Sequence, residues 1–513
     1  MPNDSAEKPH QVIHFRPGQL AYLVTHQGQL TQDQLLALFR WSNTVSDKAC
    51  LLPRRVLSFP ATPPVRVEPE PGQPAPAQID QRNPFSLIFA DVQGVGDDTD
   101  QLLELIKKLD DARDRQPVDE ITLERVSANW LASGGSQPGS TGGPGGKPTV
   151  FGGKVEDANK MAGFTVPASI KGQGKGVDVA ILDTAPCLHD LADAYNNWCG
   201  ENLWTQPSSQ HPHALIRTLL GPQSPLRLYP ASYEDLRRMG SIESDEHPYP
   251  MPDHGLFAAG IVHTIAPRAT IHLVEVLNRY GIGDFESVTV GLQRVIDQIQ
   301  RYPGRSVVVN CSFVLNLPIR TEQCHHDSET TIWTTYGRNW LEHQGDGLMY
   351  IADLVYALNS RVIAAAGNDR TGPGSVDARY PAAFPSALGV GALPRLGSEP
   401  PGLFTKADYS NVADKPESEG MTTLGGEEGA ENGVLGIYLG EFPDHTSNET
   451  KWAWWAGTSF ATPIISAVTA AVLSSMPPGS AARQAITTVR NAKSANPTDN
   501  NEAVLFVKQD QPL

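Results

Sequence analysis

Gly457-Thr458-Ser459-Phe460-Ala461-Thr462-Pro463 sets a serine between small residues, directly before the apolar run Ile464 to Leu473. The run predicts a buried helix with the serine at its start. Free backbone N–H groups and the helix dipole favour negative charge there, which suits the formation of an oxyanion. The same serine is equally readable as an ordinary helix cap. Chemistry requires a base and an orienting carboxylate elsewhere. Asp183 follows the strand-like run Val177–Leu182, and His254 lies in Asp253-His254-Gly255-Leu256-Phe257-Ala258-Ala259-Gly260-Ile261-Val262. The small residues of the second stretch predict a helix packed closely on a sheet. Asn368 ends the run Ala364-Ala365-Ala366-Gly367. Taken singly, Asp183 is a strand-ending turn residue, His254 a structural histidine and Asn368 a left-handed turn residue.

The elements that must position these residues alternate. From about residue 151, apolar strands at Val177–Leu182, Thr270–Val276, Ser306–Asn310 and Arg361–Ala366 are separated by helical patterns. One helix is predicted from about Phe285 to Tyr302, with Val288, Leu292, Val295, Ile296 and Ile299 inward; another covers about Trp340 to Asn359. Near-continuous apolar strands alternating with helices predict a mostly parallel sheet covered on both faces. In such a sheet the active site gathers at the carboxyl ends of the strands. No internal repeat is evident.

The order Asp, His, Asn, then a helix-starting Ser resembles the subtilisin-like serine peptidases over about residues 175–475. The Asp…His…Ser order of that triad is itself a standard example of convergent geometry. Leu182-Asp183-Thr184-Ala185 resembles the family's Asp-Thr-Gly motif. Asp253-His254-Gly255 through Gly260-Ile261 resembles its histidine motif, and Gly457-Thr458-Ser459 with Ala461-Thr462-Pro463 is nearly its complete serine motif. Ala266-Pro267-Arg268-Ala269 and Tyr380-Pro381-Ala382-Ala383-Phe384-Pro385 match further family stretches. The resemblance implies an α/β, subtilisin-like three-layer fold with a mostly parallel central sheet. It implies a serine endopeptidase working through an acyl-enzyme, with Ser459 as nucleophile, His254 as base, Asp183 orienting the imidazole and Asn368 serving the oxyanion. The alternative is a catalytically silent binding or scaffold protein on the same fold; a broader one is a hydrolase of esters.

The chain also departs from the family pattern. Ala185 replaces a glycine, and would be strained if that position needed φ > 0. Leu256 and Phe257 replace Thr and a second, non-catalytic His. The 71 positions from Asp183 to His254 predict an inserted surface element, carrying Trp198, Cys199, Trp204 and the acidic stretch Glu243–Glu246. Pro463 predicts a bend after the nucleophile.

Family members hold an extended peptide between two exposed edges. The matching edges are Tyr280-Gly281-Ile282-Gly283 and Ser312-Phe313-Val314, with Ala366 and Gly367 beside them. Phe313 and Val314 predict a narrowed P1 pocket that prefers small or medium apolar residues.

Residues 1–131 read as a separate small α/β domain, a prodomain or a regulatory module. A strand or hairpin is predicted over His14–Val24, a helix over Leu30–Trp41 and an extended connector over Ser58–Pro76. A strand follows over Phe85–Val92, then an amphipathic helix over Asp98–Arg113 with Leu102, Leu105, Ile106 and Leu109 on one face. Residues 132–150 read as a Gly/Ser/Pro-rich linker open to proteolysis, and residues 151–513 as the peptidase domain. The formal net charge of −17 argues against general nucleic-acid binding and against anionic lipid. The first residues lack a charged segment followed by an apolar one, so no secretory signal is expected. The five irregularly spaced cysteines predict no disulfide framework, and a cytoplasmic location is expected. Cys324-His325-His326-Asp327 reads as a surface loop without a second ligand pair, so no metal is assigned. No cofactor is required by the chemistry. Related enzymes carry structural calcium, and no site for it is placed in this sequence.

Overall fold

The computed structural model describes residues 15–47, 49–66, 77–94, 99–115, 120–134, 146–198, 213–231, 236, 249–317, 332, 334–370, 374–414, 419–429 and 431–510. Most of the acidic, Trp/Cys-bearing part of the Asp183–His254 segment and the Cys324–Asp327 motif lie outside the described residues.

The N-terminal domain runs β1 (Phe15–His26), α1 (Gln32–Ser46), β2 (Cys50–Phe59), β3 (Phe85–Gln93), α2 (Thr99–Asp111) and β4 (Ile121–Ser133). This βαββαβ order gives an antiparallel sheet β4-β1-β3-β2, the ferredoxin-like arrangement. The expected helices form, α1 with a Thr31–Gln34 capping box. Of the strand or hairpin expected over His14–Val24, the strand forms: β1 is one long element with a register shift between Phe15 and Leu20. Strand β4 continues past the anticipated 131/132 boundary to Ser133, and the far end of the linker forms β5 (Thr149–Val150).

The larger domain is built on seven strands: β7 (Val177–Asp183), β8 (Leu226–Tyr229), β9 (Thr270–Glu275), β11 (Ser306–Cys311), β13 (Arg361–Ala365), β14 (Ala387–Leu393) and β15 (Glu419–Leu424). They pair in parallel throughout, in the order β15-β14-β13-β11-β7-β9-β8. Two short edges, β10 (Ile282–Asp284) and β12 (Val314–Leu315), follow β9 and β11. Smaller pairings join β5 to β17 (Trp452–Trp455), β17 to β16 (Val434–Ile437), and β6 (Phe164–Thr165) to β18 (Lys508–Gln509).

The period-2 alternation of the central strands splits the core. Ala180 and Leu182 of β7 join one cluster with Val307 and Val309 of β11; Val177, Val179 and Ile181 join the other with Val308. One face carries α3 (His254–Ile265) and α6 (Thr458–Leu473); the opposite face carries α4 (Phe285–Arg301) and α5 (Asp346–Ala357). The result is the three-layer α/β/α arrangement. Helix α6 is entirely buried and runs through Pro463 as one element. The helix expected near 340–359 is divided, with α5 preceded by a short turn at His343–Gly345. Among the described residues no helix is long and apolar enough to cross a membrane.

The N-terminal domain covers α4 and α5 and shares their hydrophobic cluster. Phe89 meets Phe285 edge-on at 5.5 Å, and Phe85 meets Tyr350 in the same way at 5.5 Å. Arg54 and Arg55 both grip the buried Glu286, Arg82 pairs with Asp353 at 2.7 Å, and Arg125 bridges Asp110 and Asp346. Each of these ion pairs desolvates a carboxylate, and burial pushes the Asp346 and Asp353 carboxyls above their ordinary range.

Asp284 shows the effect most clearly. It caps α4 through a bond from Ser287 N–H at 2.8 Å, and burial pushes its carboxyl up to about 6 despite Arg16 nearby. The folded protein therefore binds this proton more tightly than the unfolded chain, so the Asp284 contribution to stability falls as pH rises from about 4 to about 6. Asp284→Asn keeps a good cap and cannot ionise. In melts across pH 4–7 the variant is expected to gain on the parent as pH rises, by about 1.4 kcal/mol per unit of lost shift. A difference that stays constant with pH contradicts the burial argument.

Candidate active site

Four strand ends and helix starts converge at the carboxyl edge of the parallel sheet. Asp183 is the last residue of β7 and is fully buried. Its Oδ1 accepts from Thr184 N–H at 2.7 Å and lies 2.7 Å from His254 Nδ1, with Oδ2 at 3.0 Å. His254 is the first residue of α3, with the buried Asp253 before it. Asp253 accepts from Leu439 and Gly440 N–H groups, and burial pushes its carboxyl up to about 6. With Nδ1 committed to Asp183, the basic nitrogen of neutral His254 is Nε2.

The pairing depends on how closely α3 approaches β7. A Cβ on Gly255 would fall 2.2 Å from Thr184 O and 2.9 Å from Asp183 Cβ, so only glycine lets the helix start lie against the strand end. Thr184 ties the two together: Gly255 N–H donates to its hydroxyl, which donates to Pro252 O at 2.9 Å. The rings of Trp455 and Phe460 flank the imidazole at 5.2 and 5.1 Å. They hold its orientation and exclude water. Ala185 does not adopt positive φ, so replacing the family glycine stores no backbone strain.

Ser459 lies in the first turn of α6 and is almost fully buried. Its hydroxyl donates to Ser312 O at 3.1 Å, and Ser312 Oγ donates back to Ser459 O at 2.8 Å. Asn310 and Ser466 extend this network, Asn310 Nδ2 donating to Ser312 Oγ and Ser466 Oγ to Asn310 Oδ1, both at 2.9 Å. Asn368 Oδ1 accepts from Thr458 N–H at 3.0 Å and from Thr458 Oγ1 at 2.8 Å. A backbone N–H can only donate, so the oxygen must face Thr458 and the Nδ2 donors must face away. Asp369 braces this loop. It receives both arms of Arg379 at 2.8 Å and Asn411 Nδ2 at 2.7 Å, while its own N–H donates to Asn411 Oδ1.

A small cavity beside the serine is lined by Ser133, Phe313, Val314, Ala365, Gly367, Asn368, Asp369, Thr458 and Ser459. Of the anticipated site residues, Phe313, Val314, Gly367, Asn368 and Ser459 line it. Ala366 does not: strand alternation turns it into the core cluster and leaves Ala365 at the cavity. Asp369 lies in the lining, yet its charge is already matched by Arg379. Ser133 was not anticipated. Strand β4 inserts between the two expected edges and pairs antiparallel with both: Ser133 opposes Ile282 of β10 and Val314 of β12, and Ala132 opposes Gly283 and Leu315. Gly134 N–H donates to Gly281 O at 2.9 Å. Among the described residues no group of three or more His, Cys, Asp or Glu side chains could hold a metal.

A buried Asp–His pair beside a helix-start serine, at the carboxyl edge of a parallel sheet, is an arrangement suited to acyl transfer. The family model described as the Subtilase family matches residues 174–506, and the chain belongs to that family. It is a serine peptidase with the α/β subtilisin-like fold. Solved structures that match include a point mutant of the protease domain of PatA, at 19% identity over 65% of this chain and 94% of that one, with a TM-score of 0.37. Among curated proteins no match is found.

Gly255→Ala tests the close approach. The added methyl must push α3 off Thr184 O and carry the imidazole with it. Overpacking of this kind costs about 1–3 kcal/mol of stability. Misplacement by about 1 Å costs on the order of 100-fold in peptide hydrolysis. Denaturation and kcat/KM measured together check both; unchanged activity would show that this contact does not set the pair.

Proposed function

We propose that Ser459, His254, Asp183 and Asn368 form the catalytic set of an endopeptidase, held inactive in the intact chain by its own N-terminal domain. The Ser459 hydroxyl attacks the scissile carbonyl and passes its proton to His254 Nε2. Asp183 stabilises the imidazolium through Nδ1. Asn368 Nδ2 and the Ser459 N–H at the start of α6 donate to the tetrahedral oxyanion. The imidazolium then protonates the leaving amine, and water resolves the acyl-enzyme by the same steps.

The observation that carries this reading is the Asp183–His254 contact at 2.7 Å between two nearly inaccessible side chains, at the same sheet edge as a serine in the first turn of a buried helix. A silent scaffold has no need to bury an ionisable pair, which costs desolvation. The inhibitory role rests on β4. It fills the place between β10 and β12 that an extended substrate would take, and ends beside His254. The residues after Gly134 are the Gly/Ser/Pro-rich stretch, so the chain itself offers the first bond to cut. The N-terminal domain stays bound through its shared core and its arginine contacts after such a cut, and is then displaced or degraded.

The test compares the parent with Ser459→Ala. The parent is expected to yield two fragments separated within the linker and to be labelled by a fluorophosphonate, while the variant remains whole and unlabelled. Asn368→Ala is expected to lose about 10²–10³-fold in kcat with little change in labelling-site identity. An intact, uncut parent that hydrolyses peptides at full rate would refute the inhibitory role. Absence of labelling in both intact and linker-cut protein would refute the assignment of Ser459.

A further inference from the structure

Gly134 is the last described residue before the linker, and its surroundings are unusually tight. A Cβ there would fall 2.8 Å from Leu277 Cδ1, 3.5 Å from His254 Cε1 and 3.5 Å from Ser312 O. Gly134 does not have positive φ, so its backbone would suit any residue. Room alone demands glycine. Leu277 cannot simply turn away. It is fully buried, and its other methyl, Cδ2, lies 2.9 Å from where a Cβ of Gly283 would sit. One leucine thus fills the space that two glycines leave, one on the cleft wall and one on the strand held in the cleft.

The strand makes a second demand three residues earlier. Leu131 is buried in a small separate cluster with Ile282 of the cleft edge and Leu236, against which Tyr280 and Ala231 also pack. Ala132 and Ser133 between them are buried too, and Ser133 Oγ donates to Asn316 Oδ1 at 3.2 Å.

We infer that the cleft selects extended segments carrying glycine against His254 and a branched aliphatic residue three positions before it, and that Leu277 enforces the glycine. The inference rests on the reading that β4 lies where substrate lies. It names a substrate class, aliphatic-small-small-Gly, that the chain's own Leu131-Ala132-Ser133-Gly134 exemplifies. Leu277 acts by exclusion. Any side chain on the residue facing it must displace a methyl already wedged between two backbones.

The experiment has two arms. In the full chain carrying Ser459→Ala, amide hydrogen exchange is followed at Leu131–Ser133 and Ile282–Asp284. Adding Gly134→Leu is expected to speed exchange there by about tenfold or more, as β4 is forced from the edges. Adding Leu277→Ala to that protein is expected to restore most of the protection, because the new space accepts the leucine. In the second arm, Ser459 is kept, the N-terminal domain is released by cutting in the linker, and peptides with Gly or Leu at the matching position are compared. The parent should favour Gly by about 100-fold in kcat/KM, and Leu277→Ala should shrink the gap at least about tenfold. Protection unchanged by Gly134→Leu, or not regained with Leu277→Ala, overturns the inference. So does a parent that cuts both peptides equally. A protein unlabelled by fluorophosphonate would sink the peptidase assignment instead, and the exchange arm would still decide the role of Leu277.

Discussion

The contact between the end of β7 and the start of α3 is the constraint on which the site depends. It brings a carboxylate and an imidazole together, although both are nearly inaccessible to water. Such burial is tolerable only because each partner satisfies the other and the neighbouring backbone supplies further donors. Thr184 is central to that arrangement: its N–H serves Asp183, its hydroxyl receives Gly255 N–H, and its carbonyl occupies the space that a side chain at 255 would need. The parallel sheet provides the platform, since its carboxyl edge also presents Ser312 after β11 and Asn368 after β13. Helix α6 then brings Ser459 to the same edge, its apolar surface buried on all sides.

The N-terminal domain is coupled to this site by continuity of hydrogen bonding. One path of strands runs from β2 through β3, β1 and β4 to β10, with β12 also on β4. The fold of the small domain and the filling of the cleft are consequently one structural event: β4 is both the edge strand of a ferredoxin-like sheet and the central strand between two catalytic-domain edges. Apolar packing on α4 and α5 supplies most of the attachment in such an interface. The arginine–carboxylate contacts fix its register while costing desolvation, as the raised Asp284, Asp346 and Asp353 carboxyls record.

Much of the larger domain was legible in the sequence because its signals are local. Val177–Leu182, Ser306–Asn310 and Arg361–Ala366 are short apolar runs, and each became a central strand. Helix α4 carries its apolar residues at helical spacing and formed almost as expected. The failures are non-local. Strand β4 has ordinary composition, and its catalytic-domain partners lie some 150 to 180 positions away, so nothing near Ile121–Ser133 announces that it will enter the cleft. Its last residues also adjoin a Gly/Ser-rich stretch, which masks them as linker. Ala366 was misplaced for a different reason. In a run of three alanines, composition does not say which faces the cavity, and only the pleat decides that it is Ala365. Ala185 carries no strain because the turn after Asp183 never enters left-handed space, which its residue type alone does not reveal.

The loop that carries Asn368 shows how charge is spent on geometry. Asp369 sits in the cavity wall, where an unpaired carboxylate would attract basic side chains and oppose a developing oxyanion. Arg379 neutralises it in a two-armed contact, and Asn411 completes its hydrogen bonding. Arg379 and Asn411 hold Gly367-Asn368-Asp369 from one side, while Thr458 holds it from the other through Asn368 Oδ1. Because Thr458 directly precedes Ser459, the Asn368 amide and the Ser459 hydroxyl are positioned by adjacent residues of one chain segment. Movement of the start of α6 would carry both together, which preserves their relation to a bound carbonyl. Preorganisation of this kind leaves little for the site to rearrange when charge develops, and that is where such donors are worth most.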